Sequence, residues 1–189
     1  MISKALRFTN DVLDQFLRNR FGLDESRVLL NNLIEGDGSI PTANQNKVVI
    51  SLINIEKDTN KPFNTRNQRL PNGNFTDISP EERFNLYILV SANFDDYNES
   101  LKFLNAAITF FQVNTCLSSA TSSNLPQGIT KLEFEIEKMT YHQMHSLWTA
   151  MGAKYQPSVV YKMWLITIQG DQLIGMVPAV SQTSNTVTS

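Results

Sequence analysis

Residues 140–168 constrain this chain more than any other stretch. They open with a complete helix-start signature. Thr140 and Gln143 have the spacing of a capping box, in which each side chain satisfies a backbone N–H of the other residue. Met139 and Met144 flank it as a hydrophobic staple. Met144, Leu147, Trp148 and Met151 then recur at helical spacing, as a stripe to be buried. Gly152 supplies the stop, and Pro157 prevents the helix from resuming. Ser158 follows, and residues 159–168 read as a strongly apolar strand that carries Tyr161. No residue in this block is placed like a nucleophile or an acid–base pair. The block is built to fix a helix, a corner and a strand against one another, which is architectural work.

The same reading extends along the chain. Leu6, Leu13, Phe16, Leu17 and Phe21 share one helical face, and Gly22 follows as a stop. Residues 27–34 read as a short strand. Residues 47–56 read as a strand apolar on both faces, which predicts a central strand covered from both sides. In residues 84–94, Phe84, Leu86, Ile88, Val90, Ala92 and Phe94 alternate with Asn85, Tyr87, Leu89, Ser91 and Asn93, the period of a strand. A turn at Asp95 and Asp96 leads into a helix to about Val113. Its main stripe is read as Leu101, Leu104, Ile108 and Phe111, with Phe103 and Phe110 as a second stripe. Residues 129–138 form a strand with Leu132, Phe134 and Ile136 inward and Glu133, Glu135 and Glu137 outward. Three carboxylates on one strand face repel unless cations lie opposite. That face reads either as a solvated edge or as a docking face for a basic partner.

Two regions have no core pattern. Residues 56–83 form a long polar connection with Pro62, Pro71 and Pro80, and Asn72-Gly73 is a turn signal for a small hairpin with Phe63 and Phe75 on its arms. The connection is either a flexible insertion or an arm that orders on a partner, and Arg66 and Arg69 on it are candidate contact residues. Gln169 to Gln172 can turn the last strand into a short arm through Leu173 and Ile174. Residues 178–189 are expected to be a disordered tail beyond a single domain of residues 1–177. The expected fold is α+β: one mixed sheet of about five strands with two to three helices packed on it.

Composition excludes several function classes. The formal net charge is −2 and charged residues make up 18% of the chain, so nothing points to nucleic acid or an anionic membrane surface. The one cysteine, Cys116, permits no intrachain disulfide and no thiolate metal cluster. No apolar signal core begins the chain and no stretch has transmembrane length, so a soluble chain made in the cytoplasm is expected. No phosphate loop and no nucleophile elbow occurs. The residues that could carry chemistry are Asp95, Asp96, His142 and His145. The two histidines, three apart on the third helix, lack the spacing and acidic residue of a zinc-protease helix. Asp96 or Asn98 as a helix N-cap accounts for the acidic pair. No cofactor is expected.

Four stretches together resemble the tail-terminator, or cap, family of phage-tail-like contractile injection particles of the antifeeding-prophage and virulence-cassette type. They are the N-terminal helix opening Met1-Ile2, residues 47–56, residues 84–112 from Phe84 through Tyr97 to Phe110-Phe111-Gln112, and residues 147–162 from Leu147-Trp148 through Gly152 and Pro157-Ser158 to Tyr161. The resemblance implies a phage tail-terminator-like fold and a non-enzymatic structural role. It implies a ring, of six copies, that ends the inner tube and anchors the last sheath layer. The partners it implies are further copies of the chain, the inner tube protein and the contractile sheath protein, with no direct membrane insertion. It also implies assembly in a bacterial cytoplasm into a particle that is released or membrane-associated. Leu147, Trp148, Gly152, Pro157, Ser158 and Tyr161 are its structural signature. A closed ring needs two different surfaces on each copy. Phe103 and Phe110, the Glu133, Glu135 and Glu137 face, and the 56–83 arm are candidates for such contacts. A baseplate or tail-completion component with the same domain is the nearest alternative. A small metal-dependent enzyme using Asp95, Asp96, His142 and His145 is the distant one.

Overall fold

A computed structural model describes residues 1–58, 67–69, 75–77, 82–122, 124–167 and 176–177. Helix α1 (Ile2–Phe21) buries Ala5, Leu6, Phe8, Thr9, Leu13 and Leu17 along one side. The Thr9 hydroxyl donates to the Ala5 carbonyl at 2.9 Å, which satisfies it inside the core. The helix ends at Gly22, whose φ of 62° is left-handed backbone and whose N–H closes the last turn on the Arg18 carbonyl.

Six strands form the main sheet: β1 (Val28–Leu30), β2 (Lys47–Lys57), β5 (Glu82–Asn93), β6 (Cys116–Ser118), β7 (Ile129–Ile136) and β8 (Ser158–Thr167). Their spatial order is β1-β2-β5-β8-β7-β6. β1 runs parallel to β2, and the other pairs are antiparallel. At the centre β5 pairs with β8 from Ser91↔Ser158 to Glu82↔Thr167. Three further strands, β3 (Asn67–Arg69), β4 (Phe75–Asp77) and β9 (Met176–Val177), form a second small sheet in the order β3-β4-β9. The expected hairpin around Asn72-Gly73 is present in that Arg69 pairs with Phe75, while the turn itself and Phe63 lie outside the described residues. Arg66, residues 168–175 and the 178–189 tail lie outside them too.

Period-two alternation sends the two sides of the sheet into two separate cores. On one side Leu86, Ile88 and Val90 of β5 join Val48 and Ile50 of β2, Tyr161, Met163 and Leu165 of β8, and Leu132 and Phe134 of β7. Helices α1 and α2 (Tyr97–Val113) cover this side, and Phe16 of α1 meets Phe110 of α2 at 5.4 Å between ring centroids. On the other side Val49, Leu89 and Val160 pack with Leu33 and with Trp148 of α3 (Tyr141–Met151). The sheet therefore carries helices on both faces.

Three expectations about packing change. On α2 the stripe that enters the core is Phe103, Ala106, Ala107, Phe110 and Phe111, while Leu101 is exposed and Leu104 and Ile108 are half-buried. The small pair Ala106-Ala107 sets the backbone close to the sheet, and the phenylalanines on either side fill the space beside it. In β2 both faces are buried only as far as Ser51. Leu52 and Ile55 emerge to solvent where a bulge between Leu52 and Asn54 shifts the register, and Asn54 is exposed. In β7 Leu132 and Phe134 are buried, but Ile136 is 44% exposed, beyond the reach of the helical layer.

Tyr161 lies at the heart of the larger core. Its ring is 4.3 Å from that of Phe111, and its hydroxyl finds no hydrogen-bond partner among the described residues. Burial pushes its phenol up to about 12. The fold favours the neutral form, so this contribution to stability is complete below about pH 10, the ordinary phenol value, and is lost as pH rises toward about 12. Tyr87, pushed up to about 12 by burial and by its hydrogen bond to Glu56, adds in the same direction. Replacing Tyr161 with Phe should cost less than about 1 kcal/mol at neutral pH, or stabilise, because no hydrogen bond is lost. It should also flatten part of the stability decline between about pH 10 and 12. Denaturant titrations at pH 7 and across the alkaline range test this, and an unchanged alkaline decline would contradict it.

Candidate assembly surfaces

The corner block is built as its sequence indicates. Thr140 Oγ1 accepts from the Gln143 N–H at 3.3 Å, and the Thr140 N–H donates to Gln143 Oε1 at 2.8 Å. Met139 and Met144 are half-buried against the same small core. Gly152 ends α3 with φ 68°, a conformation that costs a residue bearing a Cβ roughly 1–2 kcal/mol. Trp148 is the one buried side chain of α3. It sits among Leu33, Val49, Leu89 and Val160, with Tyr155 edge-on at 5.6 Å. Leu147 is half-buried beside it.

From Gly152 the chain is stitched to the end of β5. The Ala92 N–H donates to the Pro157 carbonyl at 2.9 Å, and Gln156 Nε2 donates to Asn93 Oδ1 at 3.1 Å. Ser158 then takes its place opposite Ser91, and three residues on Tyr161 points into the opposite core. Trp148, Gly152, Pro157, Ser158 and Tyr161 thus connect both cores through one corner.

The acidic face of β7 lies on the α3 side of the sheet. Glu133 is paired with Lys131, and Glu135 stands opposite Lys162 of β8. The Lys162 ammonium lies 5.0 Å from the Trp164 ring centroid and 5.9 Å from that of Tyr87. Tyr87 in turn donates to Glu56 at 2.9 Å. One cation, Lys162, thus lies opposite the acidic face and a second, Lys131, beside it on the same strand, which offsets the repulsion among its carboxylates. Beside this face a groove of 460 Å³ runs between the sheet and α3, with Glu56, Glu137, Tyr87 and His142 along it. A second groove of 630 Å³ flanks the other side of α3 between Met144, Trp148 and Tyr155. Met139 lines both grooves and Met144 the second, flexible side chains beside a helix that buries only Trp148.

The remaining candidates separate. Phe103 and Phe110 are 4% and 3% exposed, so they serve the core and not a contact surface. Arg69 is placed only by its backbone pairing to Phe75 in the small sheet. Asp96 caps α2, accepting from the Asn98 N–H at 2.8 Å. Asp95 accepts from Gln45 and Asn46 side chains at 3.3 and 3.2 Å. These carboxylates adjoin the helix that covers one face, while His142 and His145 are exposed on the helix that covers the other. Among the described residues no three potential metal ligands gather. Cys116 is half-buried at the sheet margin. No helix among the described residues is long and apolar enough to cross a membrane.

A family model described as the Pvc16 N-terminal domain matches residues 9–182. The chain belongs to that family. Two solved structures share the fold of this Pvc16 N-terminal domain. One is the sheath/tube terminator, in its extended state, of an extracellular contractile injection system, PVC. It superposes with a TM-score of 0.62 at 17% identity, over 95% of this chain and 63% of that one. The other is the tube-terminating cap of the anti-feeding prophage, with a TM-score of 0.55 at 12% identity, over 94% of this chain and 60% of that one. The chain thus spans less than two thirds of the length of either. Comparison with curated proteins finds no match. The tail-terminator resemblance carried by the four sequence stretches holds, and so does the α+β fold expected with it.

Trp148 is the joint on which α3 hangs. Trp148→Ala should cost about 3–5 kcal/mol of unfolding free energy, the range for a buried aromatic truncated in place. Chemical denaturation of the two proteins measures it. Equal stability would show that α3 is an exposed contact element and not part of the core.

Proposed function

We propose that this chain is a non-enzymatic structural component of a contractile, phage-tail-like injection particle. It ends the inner tube at its distal end and anchors the last layer of sheath, acting as a ring of copies, six in number. The observation that carries the reading is that nearly the whole chain shares its fold with two tube terminators. The local chemistry is consistent with it, because Asp96 caps α2 and Asp95 is held by Gln45 and Asn46. The chain is synthesised in the bacterial cytoplasm and assembled there into the particle.

A terminator works by matching the tube end on one side and offering nothing for further addition on the other. Its contribution is stoichiometric, one ring per tube. Purified protein added to tube protein during polymerisation should therefore shorten the tubes and leave a cap at one end of each in negative stain. It should not decorate their length. Tubes that keep their length distribution and bare ends at saturating protein would contradict the proposal.

A further inference from the structure

The bulge in β2 moves one carboxylate from one face of the sheet to the other. Before it, Leu52 stands opposite Ile88. Without the extra residue Glu56 would stand opposite Phe84, on the side covered by α1 and α2. With it, Asn54 stands opposite Tyr87 and Glu56 opposite Asn85, on the α3 side. Re-aiming a side chain in this way is a common use of a bulge. Glu56 is held there by the Tyr87 hydroxyl, which donates to its Oε2 at 2.9 Å, and by Asn54 Nδ2, which donates to its Oε1 at 3.4 Å. Both donors are neutral.

Charge on this side of the sheet is then unmatched in one place. Glu133 is paired with Lys131, and Glu135 stands opposite Lys162, whose ammonium lies over the Trp164 ring. Lys57 lies opposite Phe84, on the far side. That leaves Glu56 and the half-buried Glu137, and neither has an ion pair among the described residues. Both line the 460 Å³ groove beside α3, where Tyr87 and His142 are the other titratable groups. Burial, then the hydrogen bond and charge of Glu56 and the charge of Glu137, push the Tyr87 phenol up to about 12, so both carboxylates act on one side chain. The rest of the groove is apolar: Ile53, Met139, Leu147 and Val160 line it and all belong to, or pack on, the small core. An apolar floor with two unpaired carboxylates fits a side chain with an aliphatic stem and a cationic head. An anion would meet like charge, and a wholly apolar guest would cover Glu137 without a partner.

We propose that this groove docks a lysine- or arginine-bearing segment of a partner protein, with aliphatic stems on Leu147 and Val160 and cationic groups beside Glu56 and Glu137. The proposal stands on the groove and does not rest on the terminator reading, so tube capping and this binding fail separately. The probe is a fluorescein-labelled peptide of alternating arginine and alanine, titrated with the full chain and read by anisotropy. The matching glutamate–alanine peptide is its control. The arginine peptide should bind saturably, and more weakly as salt is raised, and the glutamate peptide should not bind. Glu56→Gln and Glu137→Gln should each weaken binding about fivefold, the upper range for a solvent-exposed ion pair, with unfolding midpoints at the wild-type value. Ser146 is exposed on the α3 wall of the groove, and Ser146→Arg should abolish binding by placing a cation inside it. Glu25→Gln removes a negative charge outside the groove and should leave the affinity unchanged. Equal weakening by all three glutamine variants would show attraction to net charge only and overturn the proposal. Absence of saturable binding to the wild-type chain would overturn it too. Displacement of the peptide by spermidine at matched charge concentration would overturn it in favour of a free polyamine.

Discussion

The register of β5 against β8 is the constraint on which the rest of the structure depends. These are the two central strands, and each buries side chains on both faces. A one-residue slip would exchange Leu86, Ile88, Val90, Tyr161, Met163 and Leu165 with Asn85, Tyr87, Ser91, Lys162 and Trp164 across the sheet. The larger core would receive charges and amides, and α1 and α2 would lose their platform. The corner fixes that register from one end. The Pro157 carbonyl is held by the Ala92 N–H, and Gln156 is held by Asn93, so Ser158 can enter only opposite Ser91.

The 140–168 block tightens that arrangement from both sides of the sheet. Trp148 anchors α3 to one face of the central pair, and Tyr161 anchors the other face to α2. Gly152 and Pro157 set the path between them. The block is a single mechanical joint spanning both cores. The surfaces left over are mixed in kind: a balanced acidic and aromatic face beyond α3, two grooves along that helix, and apolar patches on α2 and β2.

Local order was legible in the sequence wherever one signal acted alone. The capping box and stop of α3, the alternation of β5 and the acidic alternation of β7 all depend on neighbours within a few residues, and all stand in the structure. The failures came where two apolar patterns competed. Both stripes of α2 are apolar, so periodicity could not choose between them. The choice is made by Ala106-Ala107, which lets the helix approach the sheet on the Phe103 and Phe110 side. β2 reads as buried throughout because hydrophobicity reports what could be covered, not how far α1 and α3 extend over it. The three-residue strands β1 and β6 have too few residues for a period and are defined by their long-range partners. The contact surfaces were not legible, since a surface becomes recognisable only when chain folding places separate elements side by side.

The most direct test of the account is a cryo-EM map of the particle's distal end with this chain located in the density. The account predicts a single closed ring of copies seated on the last tube layer and touching the last sheath layer. Density for this chain at the baseplate, along the tube, or as isolated monomers would contradict it.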